Sequence, residues 1–108
     1  MTKEEANIAL IESAGVCDER AIIEALAAGA DVNARSGGGT TALMLAAAKG
    51  SVECVQLLIA AGADIDASDD DCQNALSLAI ESSAHEVVKL LADAGAADWY
   101  DGDAEGLT

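Results

Sequence analysis

Aromatic residues are nearly missing from this chain of 108 residues, which has no phenylalanine, one tryptophan and one tyrosine. A β-sandwich of this length would need strands that alternate β-branched or aromatic residues with polar ones, and no such pattern occurs. Instead, apolar residues make up 52% of the chain, and many are alanines, as in LAAAKG and EALAAGA. Small side chains interspersed with Leu, Ile and Val suit short, closely packed helices. The composition therefore predicts one all-α domain.

Basic residues are also scarce, since 5 Lys and Arg face 20 Asp and Glu and the formal net charge is -15. Nucleic acid is then an unsuitable partner, because neutralisation of phosphates by Lys and Arg supplies most of the affinity for it. An anionic membrane would repel the chain for the same reason. A protein with a basic patch would be attracted, with an association rate that depends on salt. The alternative is that the acids only keep an alanine-rich chain soluble.

No stretch reaches the roughly 18 apolar residues of a membrane span, and the start MTKEEANIAL is too charged for a secretory signal. A cytoplasmic location is the expectation. The cysteines, Cys17, Cys54 and Cys72, are odd in number and unrelated in spacing, which argues against a disulfide framework and against a zinc site. Cys54, within SVECVQLLIA, is interpreted as a small core residue.

A repeat of 33 residues runs through the chain. AAGADVNA at 27–34 returns as AAGADIDA at 60–67 and, less exactly, as DAGAADWY at 93–100. The longer segments 41–67 and 74–100 align without a gap. A fixed period of this length is typical of a solenoid, in which each unit packs only against its neighbours.

Each unit contains two short apolar patterns at helical spacing. Thr41 and Asn74 stand at helix starts, where a side-chain oxygen can accept a backbone N–H. Glycine follows the second helix of every unit, where a left-handed cap favours it; these residues are Gly29, Gly62 and Gly95. The aspartates after the first two of these glycines, Asp31 and Asp64, are expected to fasten the next turn through side-chain-to-backbone hydrogen bonds.

TALMLAAAKGSVECVQLLIAAGADIDA (41–67) resembles the ankyrin repeat, in which a T-P-L-H-x-A-A helix, a glycine turn, an E-V-V-K-L-L-L helix and a G-A-D-V-N-A hairpin entry follow one another. The resemblance covers essentially the whole chain and implies a solenoid of stacked helix-turn-helix units joined by short hairpin-like turns. The expected units are about 4–36, 37–69 and 70–100, within a single domain 1–108. The segment 101–108, which ends in DAEGLT, is either the start of a truncated fourth unit or a C-terminal cap. We expect that the natural chain continues beyond it or that this end meets another chain, with self-association as one form of that contact.

Several departures from the family pattern are visible. Ala42 and Ala75 occupy proline positions, and the usual histidines are replaced by Met44 and Ser77, so the Thr–His hydrogen bonds between repeats are expected to be missing. Cys72 stands where the preceding unit has glycine, in a turn that requires a positive φ, at an expected cost of about 1 kcal/mol.

Catalytic and cofactor-binding constellations are not found. SGGGTTALML lacks the lysine of a phosphate-binding loop, and the acidic runs at 69–71 and 101–105 lack EF-hand spacing, although they could attract a calcium ion. The one histidine, His85, is predicted to be a solvated residue early in a helix. We therefore expect no enzyme activity, no cofactor and no metal site.

The resemblance implies a protein–protein interaction module that binds through its hairpin tips and the exposed face of each first helix. Carried over by position, the predicted contact residues are Arg35, Gly37, Gly38, Thr40, Ala48 and Lys49 in the second unit and Ser68, Asp70, Asp71, Gln73, Glu81 and Ser82 in the third. Trp99 and Tyr100 are candidate anchors, or else they cover the last helix. The alternative function is a fragment or cap of a longer solenoid that serves as a spacer.

Overall fold

A computed structural model describes residues 2–95. In that part of the chain six α-helices form three antiparallel pairs: α1 (Lys3–Gly15) with α2 (Glu19–Ala27), α3 (Ala42–Lys49) with α4 (Val52–Ala60), and α5 (Ala75–Glu81) with α6 (His85–Asp93). The predicted all-α class is confirmed. The unit boundaries given above remain a prediction, and Trp99, Tyr100 and the segment 101–108 lie outside the described residues.

Side-chain caps fix where most of these helices begin. Thr2 caps α1 in a capping box with Glu5, whose backbone N–H donates to the Thr2 hydroxyl at 3.1 Å while its carboxylate accepts from the Thr2 N–H at 2.9 Å. The predicted caps on α3 and α5 are confirmed: Thr41 accepts from the N–H of Met44, and Asn74 accepts from that of Ser77. A polar residue therefore sets the first turn of every helix from α1 to α5, whereas α6 follows Ala84 and has no side-chain cap.

Left-handed residues end the helices. Gly29, Gly62 and Gly95 follow the second helices at φ values of 100°, 96° and 97°, which confirms the predicted caps. Between the helices of a pair, Gly50 takes the same conformation in the second unit, whereas the first unit has Cys17 there at φ 56°. The turn geometry is thus kept even where glycine is not.

The core is a stack of equivalent residues from successive units. Leu10, Leu43 and Leu76 are buried on the first helices and stand one repeat apart. α3 packs against both α1 and α5, and its buried alanines Ala46 and Ala47 allow this close approach. The first helices therefore form the continuous centre of the array.

The two family histidine positions are filled differently. Met44 is buried, so an apolar side chain packs where a hydrogen-bonding ring was expected from the family pattern. Ser77 completes a capping box with Asn74, its hydroxyl accepting from the Asn74 N–H at 2.9 Å. Neither residue bonds to a neighbouring unit, as the sequence predicts.

None of the helices in the described part of the chain has the length and apolar character needed to cross a membrane.

Leu43→Ala should lower the free energy of unfolding by about 3 kcal/mol, because Leu43 is 1% exposed and lies between two neighbouring helices. Urea unfolding followed by far-ultraviolet circular dichroism measures the change. Ile23→Ala is the control, since Ile23 is 51% exposed and its truncation should shift stability by less than about 0.5 kcal/mol. Equal losses in the two variants would contradict the central role of the first-helix stack.

Candidate functional site

Two hairpins project from the helix stack and carry most of the predicted contact residues. The first hairpin spans residues 35–41 and the second spans 68–74, and each is closed by an isolated antiparallel bridge between its end residues. The N–H of Ser36 donates to the Thr40 carbonyl at 2.8 Å, and that of Asp69 donates to the Gln73 carbonyl at the same distance. The two hairpins are therefore closed by the same bridge and the same backbone hydrogen bond.

Aspartates turn the chain into each hairpin. The carboxylates of Asp31 and Asp64 accept from the N–H groups two residues later, at 2.9 Å and 3.1 Å, which confirms the predicted turn-fastening role. The backbone N–H of Asp64 also donates to the Asn33 side chain at 2.6 Å. At the start of the array, Asn7 of α1 accepts in the same way from the N–H of Asp31 at 2.7 Å. α1 thus supplies the contact that a preceding unit would make.

The tips of the hairpins depend on left-handed residues. Gly38 and Gly39 have φ values of 85° and 79°, and Cys72 has φ 64°, which confirms the positive φ predicted for it. A Cβ on Gly39 would lie 3.3 Å from the backbone nitrogen of Asp70 and 3.0 Å from its Oδ1. Glycine is therefore required at residue 39 both by backbone conformation and by the neighbouring tip.

Hydrogen bonds join the two hairpins to each other. The guanidinium Nη1 of Arg35 donates to the carbonyl of Gly39 at 2.8 Å and to that of Ser68, in the next hairpin, at 2.7 Å. The N–H of Asp70 donates to the carbonyl of Gly38 at 2.9 Å. Arg35, predicted as a contact residue, therefore also has a structural role that the sequence analysis did not foresee.

The second tip is further fixed by one acid. Asp69 Oδ1 accepts from the N–H groups of Asp71 and Gln73, both at 2.9 Å. In the first hairpin Ser36 holds the corresponding position, and its hydroxyl makes two long contacts, 3.3 Å to the Gly37 carbonyl and 3.4 Å to the Thr40 carbonyl. The acidic tip is thus held by more short side-chain hydrogen bonds than the glycine-rich one.

The helix residues predicted for the site lie at the C-terminal ends of α3 and α5. Lys49, Glu81 and Ser82 are exposed and Ala48 is half-buried. The Gln73 side-chain nitrogen donates to Glu81 Oε2 at 2.8 Å, which joins the second hairpin to the end of α5. The second hairpin is therefore continuous with the end of α5. The two hairpins and the C-terminal ends of α3 and α5 are together called the tip face below.

Charge is uneven across the tip face. Asp70 and Asp71 are exposed, and among residues 2–95 no cationic side chain pairs with either carboxylate. Arg20 and Glu24 form an ion pair at 3.6 Å, but they lie on α2. The acidic half of the tip face is therefore open to an external cationic group.

A pocket of about 440 Å³ lies beside the first hairpin, between it and α1. Ile8, Ile11 and Glu12 line it from the helix, and Ala34 and Arg35 line it from the hairpin side. This pocket was not expected from the sequence. Its sequence signal is a pair of isoleucines three residues apart on a helix that is otherwise charged at its surface.

The remaining chemistry-bearing residues are apart from this face. His85 is the first residue of α6 and is exposed, as predicted. Cys54 is buried in the core, as predicted, and burial raises the pKa of its thiol. Within the described residues, no three His, Cys, Asp or Glu side chains are grouped as metal ligands are.

Comparison with known proteins gives one assignment. A family model described as ankyrin repeats (3 copies) matches residues 10–102, which is most of the chain. No curated protein sequence matches the chain. The match confirms the resemblance inferred from the repeated residues, and the helix pairs are those of an ankyrin solenoid.

Cys72→Gly should raise the free energy of unfolding by about 1 kcal/mol, because glycine adopts the left-handed conformation without the Cβ penalty. Urea unfolding measures the gain. Cys72→Ala is the matched control: it removes the thiol and keeps the strained backbone, so no comparable gain is expected. The reverse change at the equivalent residue, Gly39→Ala, should be destabilising by at least a similar amount. A gain in Cys72→Ala as large as in Cys72→Gly would show that backbone strain is not the cause.

Proposed function

Because the chain belongs to the ankyrin repeat family, whose members are generally protein–protein interaction modules and typically non-catalytic, we propose that it binds a partner protein through the tip face. The partner carries a basic surface patch. The observation that supports this choice most is the acidic half of the tip face, where the exposed carboxylates of Asp70, Asp71 and Glu81 have no cationic partner among residues 2–95.

The rigidity of the tip face favours this role. Each tip is closed by its own backbone hydrogen bonds, and the tips are joined by Arg35 and by the N–H of Asp70. A surface ordered before binding loses little conformational entropy when a partner arrives. Binding at the tip face then needs no rearrangement of the helix stack.

Electrostatics selects the class of partner. The three acids at the second hairpin and the end of α5 lie within a chain of net charge -15, so the local and overall fields attract the same partners. Lys49, together with Arg35, makes the second-unit part of the face less acidic. A basic protein patch matches this distribution, whereas nucleic acid and anionic membranes do not. Association should be fast at low salt and slower as salt rises.

The proposed function can be tested with the variant Asp70→Asn/Asp71→Asn/Glu81→Gln. Arg35 is kept, because its removal would disturb the hairpins and confuse loss of binding with loss of structure. The control is Glu19→Gln/Glu53→Gln/Glu86→Gln, which removes the same charge from exposed residues in the first turns of α2, α4 and α6. Partners are captured from lysate of the source cells, identified by mass spectrometry, and purified for calorimetric titration.

We expect the parent and the control variant to bind the same basic protein, and the tip-face variant to bind it at least ten-fold more weakly, as the loss of about 1.4 kcal/mol would produce. The difference should shrink at moderate salt, because exposed charges are then screened. Equal affinity in all three proteins, or a partner without a basic patch, would contradict the proposal.

A further inference from the structure

The hydrogen bond from Arg35 to the second hairpin indicates a donor that the first hairpin lacks. Arg35 donates to the carbonyl of Ser68, the residue one repeat further along. The equivalent acceptor in the first hairpin is the carbonyl of Arg35 itself, which accepts no hydrogen bond from any residue in the described part of the chain. One repeat earlier stands Thr2, the cap of α1. The Arg35 carbonyl is therefore an acceptor for which the described residues contain no arginine donor.

The pocket between α1 and the first hairpin, called the α1 pocket below, lies on the side of that hairpin where such an arginine would be. Its volume of about 440 Å³ is bounded by α1 and by residues including Arg35. The Arg35 guanidinium itself bonds to the next hairpin, on the opposite side. The pocket is therefore in the position that a preceding hairpin's side chain would occupy.

The lining of the pocket suits a long cationic side chain. Ile8 is 57% exposed and Ile11 is half-buried, so both can cover an aliphatic stem. Glu12 stands one repeat before Leu45 and two repeats before Leu78, so an acid lines this pocket at a position where the next two units have leucine. No group in residues 2–95 hydrogen-bonds or pairs with the Glu12 carboxylate.

We propose that the α1 pocket binds an arginine side chain of the partner, presented by an extended segment that lies beside the first hairpin. The guanidinium donates to the Arg35 carbonyl, as Arg35 donates to Ser68, and to the Glu12 carboxylate. Arginine fits better than lysine, because its planar fork donates to two acceptors at once. This inference rests on the proposed function and extends the binding surface to the first unit.

The test uses the full chain and three synthetic peptides, acetyl-Thr-Val-Xaa-Val-Thr-amide with Xaa as arginine, lysine or citrulline. Citrulline keeps most of the shape and N–H donors of arginine without the charge. Amide chemical shifts in nitrogen–proton correlation spectra report both affinity and location. We expect the arginine peptide to bind about five-fold more tightly than the lysine peptide, and the citrulline peptide to bind most weakly. The shifts should concentrate at residues 7–12 and 31–36.

Glu12→Gln should weaken binding of the arginine peptide about five-fold, the upper range for an exposed ion pair. Glu53→Gln, at an exposed glutamate on α4, should leave it unchanged. Chemical-shift changes concentrated at residues 69–73 would contradict arginine binding in the α1 pocket and would support the tip face as the site for basic groups. No binding of either cationic peptide at low salt would count against the pocket and the proposed function together. Equal binding to the parent and Glu12→Gln would also overturn the assignment.

Discussion

The packing of the three first helices against one another holds the units together, and each of them also packs against the second helix of its own unit. Leu10, Leu43 and Leu76 repeat at the same position of α1, α3 and α5, and alanines beside them bring the helix backbones close. Because Phe is absent and the helices are short, no single pair could bury enough apolar surface by itself. The fixed spacing of this stack determines the spacing of everything attached to it, including the hairpins.

The spacing of the helix stack brings the two hairpins close enough to bond to each other and form one surface. Once the stack sets adjacent hairpins side by side, one guanidinium reaches two carbonyls, and the N–H of Asp70 reaches Gly38. These hydrogen bonds use mainly backbone acceptors. The carboxylates of Asp70 and Asp71 are consequently not needed to hold the tips together, and they remain available to solvent or to a partner.

The repeat made most of the fold and part of the site predictable. Helix pairs, caps, glycine turns and the left-handed Cys72 all follow from local residues at a fixed period, and all are confirmed. The role of Arg35 was not predictable, because its bond to Ser68 depends on the side-chain conformation across two hairpins. The α1 pocket was missed because the first unit breaks the period: α1 begins at Lys3, where equivalence with later units would place a hairpin.

Because α1 stands where later units have a hairpin, the first hairpin has a different set of hydrogen-bond partners from the second. In the second hairpin, the Ser68 carbonyl accepts a hydrogen bond from Arg35 of the preceding unit. At the first hairpin, α1 replaces only the base contact, through Asn7, and leaves the acceptor nearer the tip without a protein donor. An exposed carbonyl is solvated at little cost, so folding does not require a protein donor at this position. The Glu12 carboxylate and the Ile8 side chain are also exposed in the pocket beside it, so this acceptor is open to a donor from a partner.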